Sequence, residues 1–303
     1  MTSASPMPWL YVRQRFQKMV KNINITEDQT EDGKMKYRGV VAALNRAYWG
    51  GNHHSANSIL IGSWGKDTQV RPPRDIDLLF VPPIDIYYLF NQRLGNKQSQ
   101  LLQDVANALR STYTQTTIRG DGQVVVVKFD SYSIKVAPAF YRQAGGFVIC
   151  DNNNGGFWKN VDPLSEITNL EEFDNRYHGN VKKLVRILKQ WQRHCDVPIK
   201  SFHLEALIKE FLPLKSYGEK DEFWFDWLVR DAFAHMINRF GGGFWMPGCI
   251  AEWIQLDNDW LSKAQTAYQC ALKACEYERD NKNILAGLEW QKIFGKVIPA
   301  FPI

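Results

Sequence analysis

The chain has 303 residues, 45% of them hydrophobic and 23% charged, with a net charge of +5 and a pI near 8.8. That length suits one large or two closely packed domains of an ordinary globular protein. The mild basic excess fits anionic substrates such as nucleotides, but it does not by itself indicate nucleic-acid binding.

From Trp9 to about Lys21, apolar residues recur at helical spacing (Leu10, Val12, Phe16, Met19, Val20) and predict an amphipathic helix. Thr26-Glu27-Asp28-Gln29 resembles a capping box, and the stripe Met35, Val40, Val41, Leu44, Tyr48 predicts a second helix ending near Gly50-Gly51. After a polar loop over residues 52–57, Ser58-Ile59-Leu60-Ile61 reads as a short strand running into Gly62-Ser63. A glycine there lets the backbone approach a ligand that a Cβ would repel, and exposed N–H groups with the Ser63 hydroxyl can hold a triphosphate.

A dozen residues on, Asp75-Ile76-Asp77-Leu78-Leu79-Phe80-Val81 reads as a second strand. Asp75 and Asp77 then share one face while Ile76 and Leu78 point into the core. Two carboxylates side by side repel each other unless a cation lies between them, and Mg²⁺ takes one or two carboxylates plus substrate phosphates.

Pro82-Pro83 ends that strand, and Ser99 to Leu109 predicts a helix crossing back over the sheet. Gln123 to Phe129 is an unbroken β-branched run, expected to be a central strand. With Ser131-Tyr132 as a two-residue turn into Ser133 to Phe140, Lys128 lies opposite Lys135, and Asp130 falls on the same face. Beyond the loops at Gly145-Gly146 and residues 152–156 the pattern becomes helical: Leu170 to His194, Ser201 to Leu212, Asp221 to Phe240, Ala251 to Glu276 and Asn281 to Phe294. The expected architecture is an α+β catalytic lobe over residues 1–160 and a helical lobe over 161–303, with a ligand cleft between them. Lys189, just past the apolar Val185 to Leu188 stretch, and Ser201, placed as a helix N-cap, together suit a phosphate.

The five cysteines (Cys150, Cys195, Cys249, Cys270, Cys275) are scattered and form no C-x-x-C pair, so reduced thiols are expected. Neither His53-His54 nor His194-Cys195 is completed by a second Cys/His cluster at zinc spacing. Met1 to Pro8 lacks the pattern of a leader, and no apolar run approaches the ~20 residues that span a bilayer, so a soluble cytoplasmic protein is expected. Most aromatic residues, Phe223, Trp224, Trp227 and Phe233 among them, fall on helical stripes and read as core.

Gly62-Ser63 followed by Asp75-x-Asp77 resembles the signature of the DNA polymerase β-like nucleotidyltransferases. Adding Lys189, Ser201, Val136-Ala137-Pro138-Ala139-Phe140, Asp151, Phe157-Trp158-Lys159 and Asp162-Pro163, residues 26–215 look like the bacterial cGAS/DncV-like nucleotidyltransferases, which share the oligoadenylate-synthase fold. The resemblance implies a polymerase β-like sheet backed by helices, and synthesis of a cyclic or linear oligonucleotide second messenger in anti-phage defence. It implies Gly62 and Ser63 on the triphosphate, Asp75 and Asp77 on Mg²⁺ or Mn²⁺, Lys189 and Ser201 on donor phosphates, and Tyr217 stacked on a base. Nucleoside triphosphates are the expected partners, together with a regulatory or effector protein.

One departure stands out. The family has a third acidic residue where this chain has Lys135. That carboxylate normally activates the attacking hydroxyl. An active enzyme taking up no more than one Mg²⁺, with Asp130 as the replacement carboxylate, and a catalytically silent nucleotide- or partner-binding relative both stay open. A transferase acting on an RNA 3′ end fits less well, because no basic stripe with interleaved aromatics accompanies the cleft residues.

Overall fold

A computed structural model describes residues 9–248, 250 and 252–301. Two helices, α1 (Val12–Ile23) and α2 (Glu27–Trp49), precede the sheet. The capping box at the start of α2 is present in full: the Thr26 hydroxyl accepts from the Gln29 N–H, and the Gln29 side chain accepts from the Thr26 N–H. Gly50, in the left-handed conformation at φ 70°, closes the helix. There follow β1 (Ser58–Ile61), a single helical turn α3 (Gly62–Gly65), β2 (Asp75–Phe80), α4 (Ile84–Asn91), α5 (Lys97–Arg110), β3 (Thr117–Asp121), β4 (Val124–Lys128), β5 (Ser133–Tyr141), β6 (Phe147–Asp151) and β7 (Phe157–Val161). The remainder is α6 (Pro163–Arg176), α7 (Asn180–His194), α8 (Ser201–Phe211), α9 (Phe225–Asn238), the hairpin β8 (Gly243–Trp245) and β9 (Trp253–Gln255), α10 (Leu261–Arg279) and α11 (Asn283–Phe294).

The strands β1 to β7 form one seven-stranded sheet in which β1, β2, β5, β4 and β3 lie side by side, while β6 pairs with the far end of β5 and carries β7. Only β2 and β5 run parallel within it; the other pairings are antiparallel. Ile76, Leu78 and Phe80 of β2 join Val40, Val41 and Leu44 of α2 and Leu101, Leu102 and Val105 of α5 in one apolar core. The opposite face of β2 is left for Asp75, Asp77 and Leu79, as alternation along a strand requires.

A second core gathers the helices α6 to α11 around the fully buried Trp191, Trp260 and Trp290. It also takes in Val12, Phe16, Met19 and Ile23 of α1, so the first helix packs with the helical half.

The structure differs from the sequence expectations in particular places. The helix expected over Leu170 to His194 is two, because His178 and Gly179 adopt positive φ (53° and 82°) and break it between α6 and α7. The stretch expected to be helical from Ala251 contains β9; Ala251 itself, Cys249 and Met1 to Pro8 lie outside the described residues. The β4–β5 hairpin exists, but Lys128 pairs with Ser133, and Lys135 pairs with Val126. Tyr132 cannot be a turn residue: it is buried, its hydroxyl donates to Gln29 O at 2.6 Å, and its ring meets Trp64. The turn therefore moves back to Asp130-Ser131, where the Phe129 N–H donates to Tyr132 O at 2.8 Å, and Asp130 sits exposed there rather than on the sheet.

Candidate active site

β2 and β5, the two parallel strands, build the floor of the site. Asp75 is level with Ser133 and Asp77 with Lys135, so the carboxylates and the lysine project from the same face of the sheet. The Lys135 ammonium lies 2.7 Å from Asp75 Oδ2. Burial is the strongest influence on Lys135 and works against its charge, yet the hydrogen bond to Asp75 and the charges of Asp75, Asp77 and Asp121 outweigh it and raise its pKa. Asp77 is raised for the reason expected of a carboxyl in a crevice: burial dominates and Asp75 adds to it, while Lys135 and Lys189 pull the other way.

Gly62 has φ 58°, and a Cβ on it would stand 2.6 Å from Asp77 Oδ2. Only a glycine permits both the left-handed backbone and that approach. The chain thus passes from β1 into α3 directly against the Asp77 carboxylate.

These residues face a cleft of about 830 Å³ between the sheet and the helices, lined among others by Gly62, Ser63, Asp75, Asp77, Lys135, Lys189 and Ser201. Six of the seven residues singled out from sequence as site residues therefore meet in one cavity. Tyr217 does not. Its ring stacks on Trp224 with a centroid separation of 5.7 Å and meets Trp227 edge-on, and its hydroxyl donates to Asp231. Burial, with Asp231 adding to it, raises its pKa. The aromatic residues that follow it, Trp224 and Trp227, draw Tyr217 toward the helical core and away from the cleft. Asp130 does not line the cleft either, so it supplies no replacement carboxylate.

Ser201 and Lys189 are in the cleft on different terms from those expected. Lys200, not Ser201, occupies the N-cap position of α8, with extended backbone (φ −75°, ψ 143°); Ser201 is the first helical residue, its hydroxyl 3.4 Å from Gln192 Oε1. The Lys189 ammonium donates to Thr68 Oγ1 (2.7 Å), Thr68 O (3.2 Å) and Glu205 Oε1 (3.3 Å). An ammonium has three donors, and here each has an acceptor. Burial lowers the Lys189 pKa, with Glu205 opposing.

Sequence reasoning missed the rest of this cluster. Lys66, at the end of α3, reaches Glu166 of α6 and Glu205 of α8, each at 2.8 Å. Burial works most strongly against Glu205, but Lys66 and Lys189 reverse it and lower its pKa. Two lysines and two glutamates make a neutral, largely buried group that joins the sheet to the helices at the cleft wall. The legible signal was Glu205 itself, a carboxylate between Leu204 and Ala206-Leu207 on a helix otherwise apolar at that face. Such an acid has to be paired.

The model of the Second Messenger Oligonucleotide or Dinucleotide Synthetase domain family matches residues 10–174. A probable cyclic nucleotide synthase of Bacillus cereus (strain VD146) is 24% identical over 276 residues, 79% of this chain and 81% of that protein. A cyclic AMP-AMP-AMP synthase of Acinetobacter sp. is 27% identical over 184 residues, 58% of this chain and 52% of that protein, so the match spans about half of that relative. Among solved structures, a mutant of the Vibrio cholerae di-nucleotide cyclase DncV superposes with a TM-score of 0.75 at 13% identity, covering 96% of this chain and 97% of that one. CdnC of E. coli MS115-1, solved with ATP, gives 0.64 at 15% identity, covering 95% and 98%. The fold is therefore that of the polymerase β-like nucleotidyltransferases. Since the family model takes in more than half of its residues, the chain belongs to the Second Messenger Oligonucleotide or Dinucleotide Synthetase family.

Proposed function

We propose that this chain is a metal-dependent nucleotidyltransferase that joins nucleoside triphosphates into a cyclic or linear oligonucleotide second messenger, acting in the cytoplasm in anti-phage defence. The observation that carries the reading is Gly62 pressed against Asp77, beside Asp75, at the floor of an open cleft. Nothing in packing alone requires a left-handed glycine to abut a carboxylate pair on the wall of a cleft. A backbone that must approach both a triphosphate and the group holding its counter-ion does require it.

The residues fit one divalent ion. Asp75 and Asp77 supply two carboxylates on one face, and Mg²⁺ or Mn²⁺ completes its shell with water and substrate phosphates. Among the described residues no group of three His, Cys, Asp or Glu side chains is placed to hold a metal ion, so water and phosphate would supply the rest of the shell. When bound, the ion would neutralise phosphate charge and polarise the phosphoryl group. The chain's own part is to hold the triphosphate with the Gly62 backbone and the Ser63 hydroxyl, and to aim a second nucleotide's hydroxyl in line through the cleft walls, which carry Lys189 and Ser201. We take residues 1–160 as the catalytic lobe and 161–303 as the helical lobe, with α1 crossing from the first into the second. The DncV and CdnC structures include complexes with GTP, with ATP and with a HORMA protein. Nucleoside triphosphates are accordingly the proposed substrates, and a regulatory protein the proposed partner.

Incubation with labelled triphosphates and Mg²⁺ or Mn²⁺ tests this. Turnover with pyrophosphate release is expected, and Asp75→Asn combined with Asp77→Asn should abolish it while the fold is kept. Wild-type rates in that double variant would sink the catalytic reading. The Asp75–Lys135 ion pair favours a second reading, a silent relative that binds nucleotide or a partner protein. Nucleotide binding without any pyrophosphate release would select it.

A further inference from the structure

Lys135 holds one of the carboxylate oxygens that a divalent ion would draw on. Its ammonium is on Asp75 Oδ2 at 2.7 Å, and its Cα is level with that of Asp77 on the neighbouring strand. A metal ion between Asp75 and Asp77 and an ammonium on Asp75 Oδ2 compete for the same pair of carboxylates and repel each other, so each weakens the binding of the other. Of the other cleft lysines, Lys66 and Lys189 are buried among Glu166, Glu205 and Thr68, while Lys159 comes from β7.

The Lys135 pair is of another kind. The two side chains are 34% and 38% exposed, and an ion pair so open to water is weak and readily exchanged. Lysine is a point charge on a flexible four-carbon stem, so the ammonium can leave Asp75 for a stronger anion without moving the strand. A triphosphate lying along Gly62 and Ser63 would be such an anion, in the same cleft.

We propose that Lys135 is a tethered cation that keeps the Asp75/Asp77 pair closed to divalent ions until a nucleoside triphosphate draws its ammonium away, so that nucleotide and metal enter the site together. The proposal rests on the reading of the cleft as a triphosphate site. It explains how a lysine can sit in a metal site without making that site useless: the residue that blocks the empty site becomes a phosphate ligand in the filled one.

The experiment compares the wild type with Lys135→Gln and with the charge-preserving Lys135→Arg, in two separate titrations. Mn²⁺ alone is followed by the electron paramagnetic resonance signal of the free ion, and a fluorescent non-hydrolysable ATP analogue is titrated without metal. Lys135→Gln is expected to bind Mn²⁺ alone at least about tenfold more tightly than wild type, and the metal-free analogue at least about tenfold more weakly. Lys135→Arg should follow the wild type in both. Opposite signs cannot arise from a general loss of folding, and Lys135→Met takes the place of Lys135→Gln if its melting curve is not cooperative. Equal Mn²⁺ affinity in wild type and Lys135→Gln would overturn the proposal, as would tighter Mn²⁺ binding with no change in analogue binding. Failure of every protein to bind the analogue, with or without Mn²⁺, would overturn the reading of the cleft as well.

Discussion

Gly62 is the residue on which the geometry of the site depends most directly. Its φ of 58° and the 2.6 Å gap between a virtual Cβ and Asp77 Oδ2 mean that Gly62→Ala adds a methyl group where the carboxylate already is. The left-handed backbone alone costs a non-glycine residue about 1–2 kcal/mol. The larger effect is expected on chemistry: displacing Asp77 by an ångström should cut pyrophosphate release on the order of 100-fold while the protein stays folded. An alanine variant with the wild-type rate would show that Asp77 does not need its present position. That Gly62, Ser63, Asp75 and Asp77 share one cleft could be read from the sequence, because the Gly-Ser, the spacing and the apolar run around Asp77 occur together there. Lys135 stood out only through the family resemblance, as a lysine where a third acidic residue is expected. The place of Tyr217 was not legible, since whether a loop aromatic faces a ligand or a neighbouring tryptophan is decided by contacts with Trp224 and Trp227, which no local pattern encodes.

At the scale of elements, helices with one buried face could be read from spacing, and α1, α2, α5, α8 and α11 fall close to where periodicity put them. Short elements could not. β3, β6, β7 and α4 are five to eight residues long and lie among turn residues, too short to establish a period. The hairpin register escaped because a tertiary contact, Tyr132 to Gln29, decides it.

Helix α9 carries a different kind of surprise. Asp226 is buried, accepting from the Trp227 N–H through Oδ1 at 2.8 Å, while Oδ2 has no hydrogen-bond partner among the described residues. Burial, helped by Glu278 of α10 and opposed by the Trp227 N–H and Arg230, pushes its pKa up to about 7. Between the ordinary value of 3.8 and about 7, the native chain holds a proton that the unfolded chain has lost, so this group's contribution to stability falls as pH rises through that window and is flat above it. Asp226→Asn should therefore exceed the wild type in stability at pH 8 by on the order of 2 kcal/mol, with a smaller difference at pH 5. Urea denaturation at the two pH values checks this; a difference independent of pH would mean that ionisation is not what Asp226 contributes.

On the scale of the whole molecule, the Lys66–Glu166–Glu205–Lys189 group joins the two halves at the wall of the cleft. Glu205 touches both lysines, so Glu205→Gln removes the negative charge they share, leaves the buried Lys189 ammonium without a carboxylate, and is expected to cost about 3 kcal/mol or more. Lys189→Ala should cost less, because Glu205 keeps Lys66. Denaturant titrations give that order directly, and calorimetry should show whether the glutamine variant melts in two steps where the wild type melts in one. Equal stability of all three proteins would reduce the group to decoration of the surface.

The place of α1 bears on how the molecule comes into being. Arg15 is buried in α1, 2.8 Å from Glu278 of α10 and within hydrogen-bond reach of the backbone oxygens of Asn283 and Ala300. On a ribosome the first helix therefore emerges long before any of these partners. The sheet can close around α2 and α5 while α1 waits, its Phe16 and Met19 face uncovered, until residues near 300 have left the exit tunnel. Because α7, α8 and their cleft residues belong to the core that α1 completes, a nascent chain has its carboxylates in place well before it has a finished site. Synthesis itself delays the moment at which a copy of this protein has a complete cleft.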